Sequence, residues 1–229
     1  MAKILLLMGV FRHDIDILFG IFFVKIYILG SGGLAREVYG WNLSQSPENI
    51  IKIDGFISSD TSSSLYELPI FSKSQIKNMN DNFRFIPCIG DIESREKEFK
   101  FLKEIGGTPK SFISDDIKIG ANVDIKNGCI INPRSSISSN VTIHEGVIIN
   151  CNTGIGHDTS IGSFCTIFGS STINGDVTIG SKVLIGSGVV IHPEKKIGNN
   201  AKVGIGSVVI RNIKENTTVF GNPAKNIKI

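Results

Sequence analysis

Fifteen isoleucines stand at an unbroken spacing of six: Ile113, Ile119, Ile125, Ile131, Ile137, Ile143, Ile149, Ile155, Ile161, Ile167, Ile173, Ile179, Ile185, Ile191 and Ile197. Val203 and Val209 continue the register. A helix of period 3.6 would scatter these side chains around its axis, and a lone strand of period 2 would not demand them at every sixth residue. A coil of three short flat sides places each one inward. The expected fold for this part of the chain is a left-handed parallel β-helix of hexapeptide repeats, in which each unit buries its apolar side only by stacking on the next.

Four residues after each isoleucine stands a second small or β-branched residue, as at Val123, Cys129, Ser135, Val141, Thr153, Thr159, Cys165 and Ser171. Each hexad therefore supplies two inward positions to a narrow core. Glycine often follows the isoleucine, as at Gly120, Gly156, Gly162, Gly180, Gly186, Gly198 and Gly204. A tight corner between sides is expected to favour a residue free of Cβ strain there.

The chain has 229 residues, a formal net charge of +3 and few aromatics, which gives no reason to expect a nucleic-acid partner. The four cysteines, Cys88, Cys129, Cys151 and Cys165, form no CxxC pair, and two occupy inward hexad positions where a reduced thiol behaves as a small hydrophobe. That usage points to the cytoplasm. Residues 1–23 hold two apolar pieces broken by Arg12, His13, Asp14 and Asp16. They are too short and too charged for a membrane span, so no stable membrane insertion is expected. They also lack a signal-peptide cleavage site, and the reading is a doubtful leader, with the functional chain beginning near Val24 or Lys25.

From Lys25 the pattern is regular: a strand over 25–29, the turn Gly30-Ser31-Gly32-Gly33, a helix over 34–45, a strand over 50–57, a helix over 72–79, a strand over 83–89 and a charged helix over 92–105. This alternation indicates a small Rossmann-like α/β domain with a parallel sheet. A glycine turn between strand and helix directs main-chain N–H groups toward one point, an arrangement that suits phosphate, although many such turns bind no nucleotide. The helix-breaking run Gly106-Gly107-Thr108-Pro109 ends this unit. The expected division is 24–108 for a substrate-binding α/β domain, 109–214 for the β-helix and 215–229 for a C-terminal tail.

Four motifs combine in this order: Gly30-Ser31-Gly32-Gly33-Leu34-Ala35-Arg36-Glu37-Val38, then Ile89-Gly90-Asp91 with Arg95, then Ile155-Gly156-His157-Asp158, and finally Gly221-Asn222-Pro223-Ala224-Lys225. Together they resemble the NeuD/PglD-type sugar acetyltransferases, over essentially all of Lys25 to Ile229. The resemblance implies a homotrimer that uses acetyl-CoA, with no metal, to acetylate the amine of a nucleotide-linked amino-deoxysugar, a UDP- or dTDP-linked 4-amino-4,6-dideoxy sugar, in bacterial cell-surface glycan synthesis. O-acetylation of sialic acid or another sugar hydroxyl is the alternative. It also implies that His157 is the general base, Asp158 its acidic partner, and the Gly175 N–H a donor to the thioester oxygen. Coenzyme contacts fall on Thr166, Ser187, Gly204, Ile205 and Gly206. Thr166 is a departure, because a histidine can stand there in relatives. Substrate contacts fall on Gly32, Gly33, Leu34 and Gly90. Acidic residues that recognise uracil in UDP-sugar enzymes are replaced here by Ser58 and Ser59, with Asp60 one residue later.

The residues support the role of His157 on their own terms. An amine or hydroxyl attacking a thioester must lose a proton, and a histidine of ordinary pKa near ~6.5 accepts one at neutral pH. His157 lies two residues after Ile155, outside the inward positions, so its ring is expected to project from the coil. Gly175, eighteen residues on, is expected to stack over it. His144 and His192 fill the slot directly after an isoleucine and read as structural. Lys182, Lys202 and Lys225 are candidates for the coenzyme phosphates. A zinc carbonic anhydrase would need three converging histidines, and spacings of 13 and 35 residues do not bring His144, His157 and His192 together in one subunit. A bare scaffold would have no use for the glycine-turn domain.

Overall fold

The computed structural model describes residues 24–59, 63–79 and 82–227. The leader 1–23 and Asp60 lie outside the described residues. The first unit contains β1 (Lys25–Leu29), α1 (Gly33–Leu43), β2 (Gly55–Ile57), β3 (Ser64–Leu65), β4 (Leu68–Phe71), α2 (Lys73–Asn78), β5 (Phe83–Pro87), α3 (Ile92–Glu104) and β6 (Thr108–Pro109). The sheet order is β3-β4-β2-β1-β5-β6, parallel throughout except for the β3–β4 pair. Chain order reverses around β1, which leaves a crevice at the carboxyl ends of β1, β2 and β5.

Two local departures have physical causes. The strand expected over 50–57 is shortened to Gly55–Ile57, because the buried Asn42 of α1 takes both main-chain groups of Ile51, donating to its carbonyl at 2.8 Å and accepting from its N–H at 2.9 Å. That stretch is tied to a helix side chain rather than to the ladder. The β3–β4 hairpin turns on Tyr66 and Glu67, both at positive φ (53° and 63°). Such turns normally carry Asn or Gly, so the sequence offered no signal for it.

The second unit is a three-sided prism built from two-residue strands between Phe112–Ile113 and Val208–Val209. Residues eighteen apart pair in parallel, so Ile113, Ile131, Ile149, Ile167, Ile185 and Val203 stack as one ladder on the first face. The second face carries Ile119 through Val209, and the third Ile125 through Ile197. Ile119 is 46% exposed despite its inward register, since no coil lies beneath the first one. The last coil is shortened: Ile213 bridges Ile197, sixteen residues away. Val219 then joins the first face through the strand Thr218–Phe220, inside the stretch expected to be a tail.

The second inward position explains its mixture of apolar and hydroxyl residues. Ser135, Thr159 and Ser171 donate to the carbonyls of Asn150, Asn174 and Gly186, each fifteen residues on, at 2.9–3.2 Å. The thiols of Cys129 and Cys165 point at the His144 and Gly180 carbonyls in the same way. Small donors at these positions are therefore accommodated in the core at little cost, whereas the equivalent Thr153 hydroxyl is buried without a partner. Burial pushes both thiols up to about 12, so they stay protonated.

The glycines after isoleucine have a different cause from the one expected. None of Gly120, Gly156, Gly162, Gly180, Gly186, Gly198 and Gly204 is at positive φ. A Cβ on Gly156 would instead fall 2.5 Å from the Gly175 nitrogen, and one on Gly162 2.6 Å from the Ser181 nitrogen. These glycines allow successive coils to approach. The left-handed turn sits two residues further on, at Asn122, Asn140, Asn152, Asp158, Asn200 and their equivalents, where Asn and Asp are the most tolerant side-chain-bearing residues.

The α/β unit packs on the first face of the prism. Phe112, Ile130 and Ile148 point outward from that face into one buried cluster with Ile28, Ala35, Val38, Phe56 and Ile86. Phe99 of α3 meets Phe164 edge-on at 5.2 Å. Arg95 is the polar centre of this seam. Its fully buried guanidinium donates to the carbonyls of Ile89 and Gly90 on one side (2.7 and 3.1 Å) and to those of Gly146 and Phe164 and the Thr166 hydroxyl on the other (2.9–3.1 Å). Desolvation lowers its pKa to about 10, which leaves it charged at neutral pH. Arg95→Ala strands these carbonyls in an emptied cavity and is expected to lower stability by about 3–5 kcal/mol in equilibrium urea unfolding. Arg95→Lys, with a single ammonium in place of the planar fork, is expected to recover only part of that loss.

Candidate active site

His157 and Asp158 occupy the corner between the second and third faces. The left-handed turn at Asp158 (φ 57°) brings its carboxylate back beside the preceding ring, and His157 Nδ1 lies 2.7 Å from Asp158 Oδ2. An ionised carboxylate only accepts, so Nδ1 carries the proton and Nε2 presents its lone pair outward. Hydrogen bonds from His157 and then Asn140 hold the Asp158 carboxyl below the usual carboxylate range. The ring is not a core group: the His157 side chain is 60% exposed.

Gly175 stacks over His157 as the eighteen-residue period requires. A Cβ there would fall 2.5 Å from Nε2, so only glycine leaves the imidazole its place. Among the described residues no hydrogen bond takes up the Gly175 N–H, which is the state of this corner position along the prism generally. What distinguishes Gly175 is its neighbour, the His157 ring, which packs over the buried glycine with Nε2 closest to where a Cβ would stand.

A second group assembles at the carboxyl ends of the parallel strands. A cavity of about 340 Å³ is lined by Leu29 to Gly32 after β1, Ile57 to Ser59 after β2, Ile89 after β5, and Lys73, Ser94 and Glu98. The Ser31 and Ser58 hydroxyls are 2.8 Å apart. Gly32, Ser58 and Ser59 are thus brought together as expected from the sequence. Gly33 and Gly90 lie exposed beside the cavity, and a Cβ on Gly32, Gly33 or Gly90 would meet nothing within 4 Å. The fold itself does not require glycine at these three places. Leu34 instead packs against the core cluster under α1.

A third group lies at the corner after the first face. Ser187, Ile205 and Gly206 line a cleft of about 650 Å³ whose opposite wall is Glu37 and Trp41 of α1. Cys151, Asn132 and Asn150 also line it, and the sequence reading had not singled them out. The signal available was the recurrence of asparagine at eighteen-residue spacing. Gly204 sits behind this wall, against Phe220.

Thr166 departs from the coenzyme role expected of it. It is 3% exposed and its hydroxyl accepts from Arg95, so it is sealed in the seam between the two units. Lys182 is also engaged, with Glu96 at 3.2 Å and Glu93 at 3.6 Å. His192 lies on the same corner as His157 and turns its ring to the Pro193 carbonyl. Among the described residues no group of three or more His, Cys, Asp or Glu is arranged to hold a metal ion, and no helix is long and apolar enough to cross a membrane.

The three groups do not meet within one chain. The α/β unit covers the first face and reaches both of its corners, through Glu37 and Trp41 on one side and Arg95 and Lys103 on the other. His157 stands on the remaining corner. Gly175→Ala tests the geometry at that corner. The added methyl collides with a half-exposed ring that is free to rotate away, so stability is expected to change by less than about 1 kcal/mol. The His157 Nδ1–Asp158 contact is expected to be lost, as read from the imidazole nitrogen shifts in NMR spectra.

No protein-family model and no curated protein sequence matches the chain. Solved structures do. WeeI from Acinetobacter baumannii AYE superposes with a TM-score of 0.82 at 27% identity, over 90% of this chain and 100% of that one. A mutant of perosamine N-acetyltransferase from Caulobacter crescentus, in complex with CoA and GDP-perosamine, gives 0.83 at 22% identity, over 90% and 97%. The acetyltransferase domain of PglB from Neisseria gonorrhoeae FA1090, in complex with acetyl coenzyme A, gives 0.81 at 22% identity, over 89% and 98%. In its α/β unit, its left-handed β-helix and the order in which they follow, the chain has the fold of the NeuD/PglD-type hexapeptide-repeat sugar acetyltransferases that its motifs resemble.

Proposed function

We propose that the protein transfers the acetyl group of acetyl-CoA to the amine of a nucleotide-linked amino-deoxysugar. The observation that carries this reading is the corner at His157: a base fixed by Asp158, its ring packed over Gly175, whose N–H has no hydrogen-bond partner among the described residues. As the amine adds to the thioester carbonyl, Nε2 takes the proton it sheds. The Gly175 N–H meets the oxygen on which negative charge develops. The imidazolium, steadied by Asp158, then returns its proton to the departing thiolate, so the amide and the free thiol leave with the ring neutral again. A positioned base of this kind contributes roughly 10²- to 10⁴-fold.

The acceptor site is the cavity at the strand ends. Its glycines leave main-chain N–H groups accessible to phosphate, and Gly32 there is the N-cap of α1, with no side chain to take up the first helical N–H groups. Ser58 and Ser59 supply hydroxyls where an acidic pair would fix uracil, so the base preference is expected to lie outside uridine alone. The Caulobacter relative was crystallised with GDP-perosamine, which widens the set of acceptors worth testing to GDP-, dTDP- and UDP-linked sugars. Ser187, Ile205 and Gly206 are the coenzyme contacts retained in this reading. Four cysteines without disulfides suit a cytoplasmic enzyme.

Because His157 and the acceptor cavity occupy different sides of one chain, the working site draws on more than one copy, and a homotrimer with three sites between prisms is the assembly proposed. The test is acetyl-CoA-dependent thiol release with that panel. One amino sugar is expected to turn over, with His157→Ala reducing kcat by about 10²-fold or more. Full turnover by the variant would overturn the assignment. Mixing His157→Ala subunits with subunits blocked at Gly32→Trp is expected to restore part of the activity that neither variant shows alone, and a fully active monomer in light scattering would contradict the shared site.

A further inference from the structure

Resting on the reading of His157 as the base, we propose that Asn140 is a positioning residue for it: the Asn140 amide locks the Asp158 carboxylate in the orientation that holds the imidazole. Asn122, Asn140 and Asp158 follow one another at eighteen-residue spacing on one corner, each at the left-handed turn (φ 56°, 59° and 57°). The turn repeats the same Cα–Cβ direction in each coil, so their side chains stack. Asn122 Nδ2 donates to Asn140 Oδ1 at 3.2 Å, Asn140 Nδ2 donates to Asp158 Oδ1 at 3.0 Å, and Asp158 Oδ2 faces His157 Nδ1 at 2.7 Å.

The direction of this chain is fixed by chemistry. The carboxylate accepts only, so Asn140 must turn its NH₂ toward it, which leaves the Asn140 carbonyl oxygen for Asn122. With Oδ1 so occupied, Oδ2 is the oxygen left for the ring, and the tautomer that frees Nε2 follows. Besides His157 and Asp158 this corner carries Asp176, whose N–H donates to the His157 carbonyl, Glu194, whose N–H donates to that of Gly175, and, on the coils beyond Gly175, His192 and Arg211.

A similar amide rung joins Asn200 Nδ2 to Asn216 Oδ1 at 2.9 Å on another corner, where it ends on an amide with no histidine beside it. It shows what coil-to-coil adhesion alone looks like and serves as the internal control. If Asn140 acted only as adhesive, its loss would resemble the loss of Asn200.

The experiment compares wild type, Asn140→Ala, Asn140→Asp and Asn200→Ala, each as the full chain. Histidine-labelled NMR reads the imidazole tautomer, with His157 assigned through His157→Gln, and thiol release reads kcat and KM. Wild type is expected to show a single Nδ1–H tautomer at His157. Asn140→Ala is expected to mix the two tautomers and lower kcat about 5-fold at unchanged KM, the equivalent of one solvent-facing hydrogen bond. Asn140→Asp sets a second carboxylate against Asp158 and is expected to lower kcat further. Asn200→Ala is expected to leave tautomer and kcat as in wild type. An Asn140→Ala protein whose tautomer and kcat match those of Asn200→Ala overturns the proposal. If wild type acetylates none of the acceptors, the functional reading fails instead, while the imidazole spectra, which need no substrate, still decide whether Asn140 positions the ring.

Discussion

Each coil of the prism is tied to the next by main-chain hydrogen bonds, such as Ser136 N–H to the Thr153 carbonyl at 2.9 Å and Asp158 N–H to the Ser139 carbonyl at 3.0 Å. With eighteen residues per coil, these bonds force residues eighteen apart into contact along most of the prism. The same constraint builds the core and the candidate site. It stacks isoleucine on isoleucine inside, and outside it sets Asn140 against Asp158 and Gly175 over His157. A core of two small or branched side chains per hexad gains its stability from this repetition, since no single coil could bury its own face.

The corners show how different demands select different residues. Where a coil must approach its neighbour, Gly156 and Gly162 appear, at ordinary φ. Where the chain must turn left-handed, any residue can be driven into the turn, and Phe164, Lys182 and Glu194 are, although asparagine does so more cheaply. Asp158 meets the second demand and, by the direction the turn gives its side chain, reaches the ring of His157. The pair is a product of the coil geometry rather than of a specialised loop.

Arg95 governs how the two units are joined. Its fork reaches carbonyls of both, so the crevice at the end of β1 is carried on a fixed platform instead of a flexible tether. The sequence marks Arg95 only as part of a motif near a glycine step, and its role in the seam is invisible there because the acceptors on the prism side come from residues 51 to 71 positions away. The enclosure of Thr166 is invisible for the same reason. The resemblance aligns Thr166 with a coenzyme contact, but whether a side chain on the first face meets solvent depends on what covers that face.

The sequence by itself determined the prism, its register, the outward projection of His157 and the stacking of Gly175 above it, because all of these follow from a period of six acting within one or two coils. It also located the glycine turn and the helices that flank it. Tertiary structure decided the rest: the hairpin turned by Tyr66 and Glu67, the shortening of β2 by Asn42, the covering of Phe112, Ile130 and Ile148 on the first face by the α/β unit, and the separation of His157 from that unit. Periodicity fixes which way a side chain points from its own coil. Which of the three sides another unit will occupy depends on apolar and hydrogen-bonding complementarity between distant segments, and no local pattern carries that information.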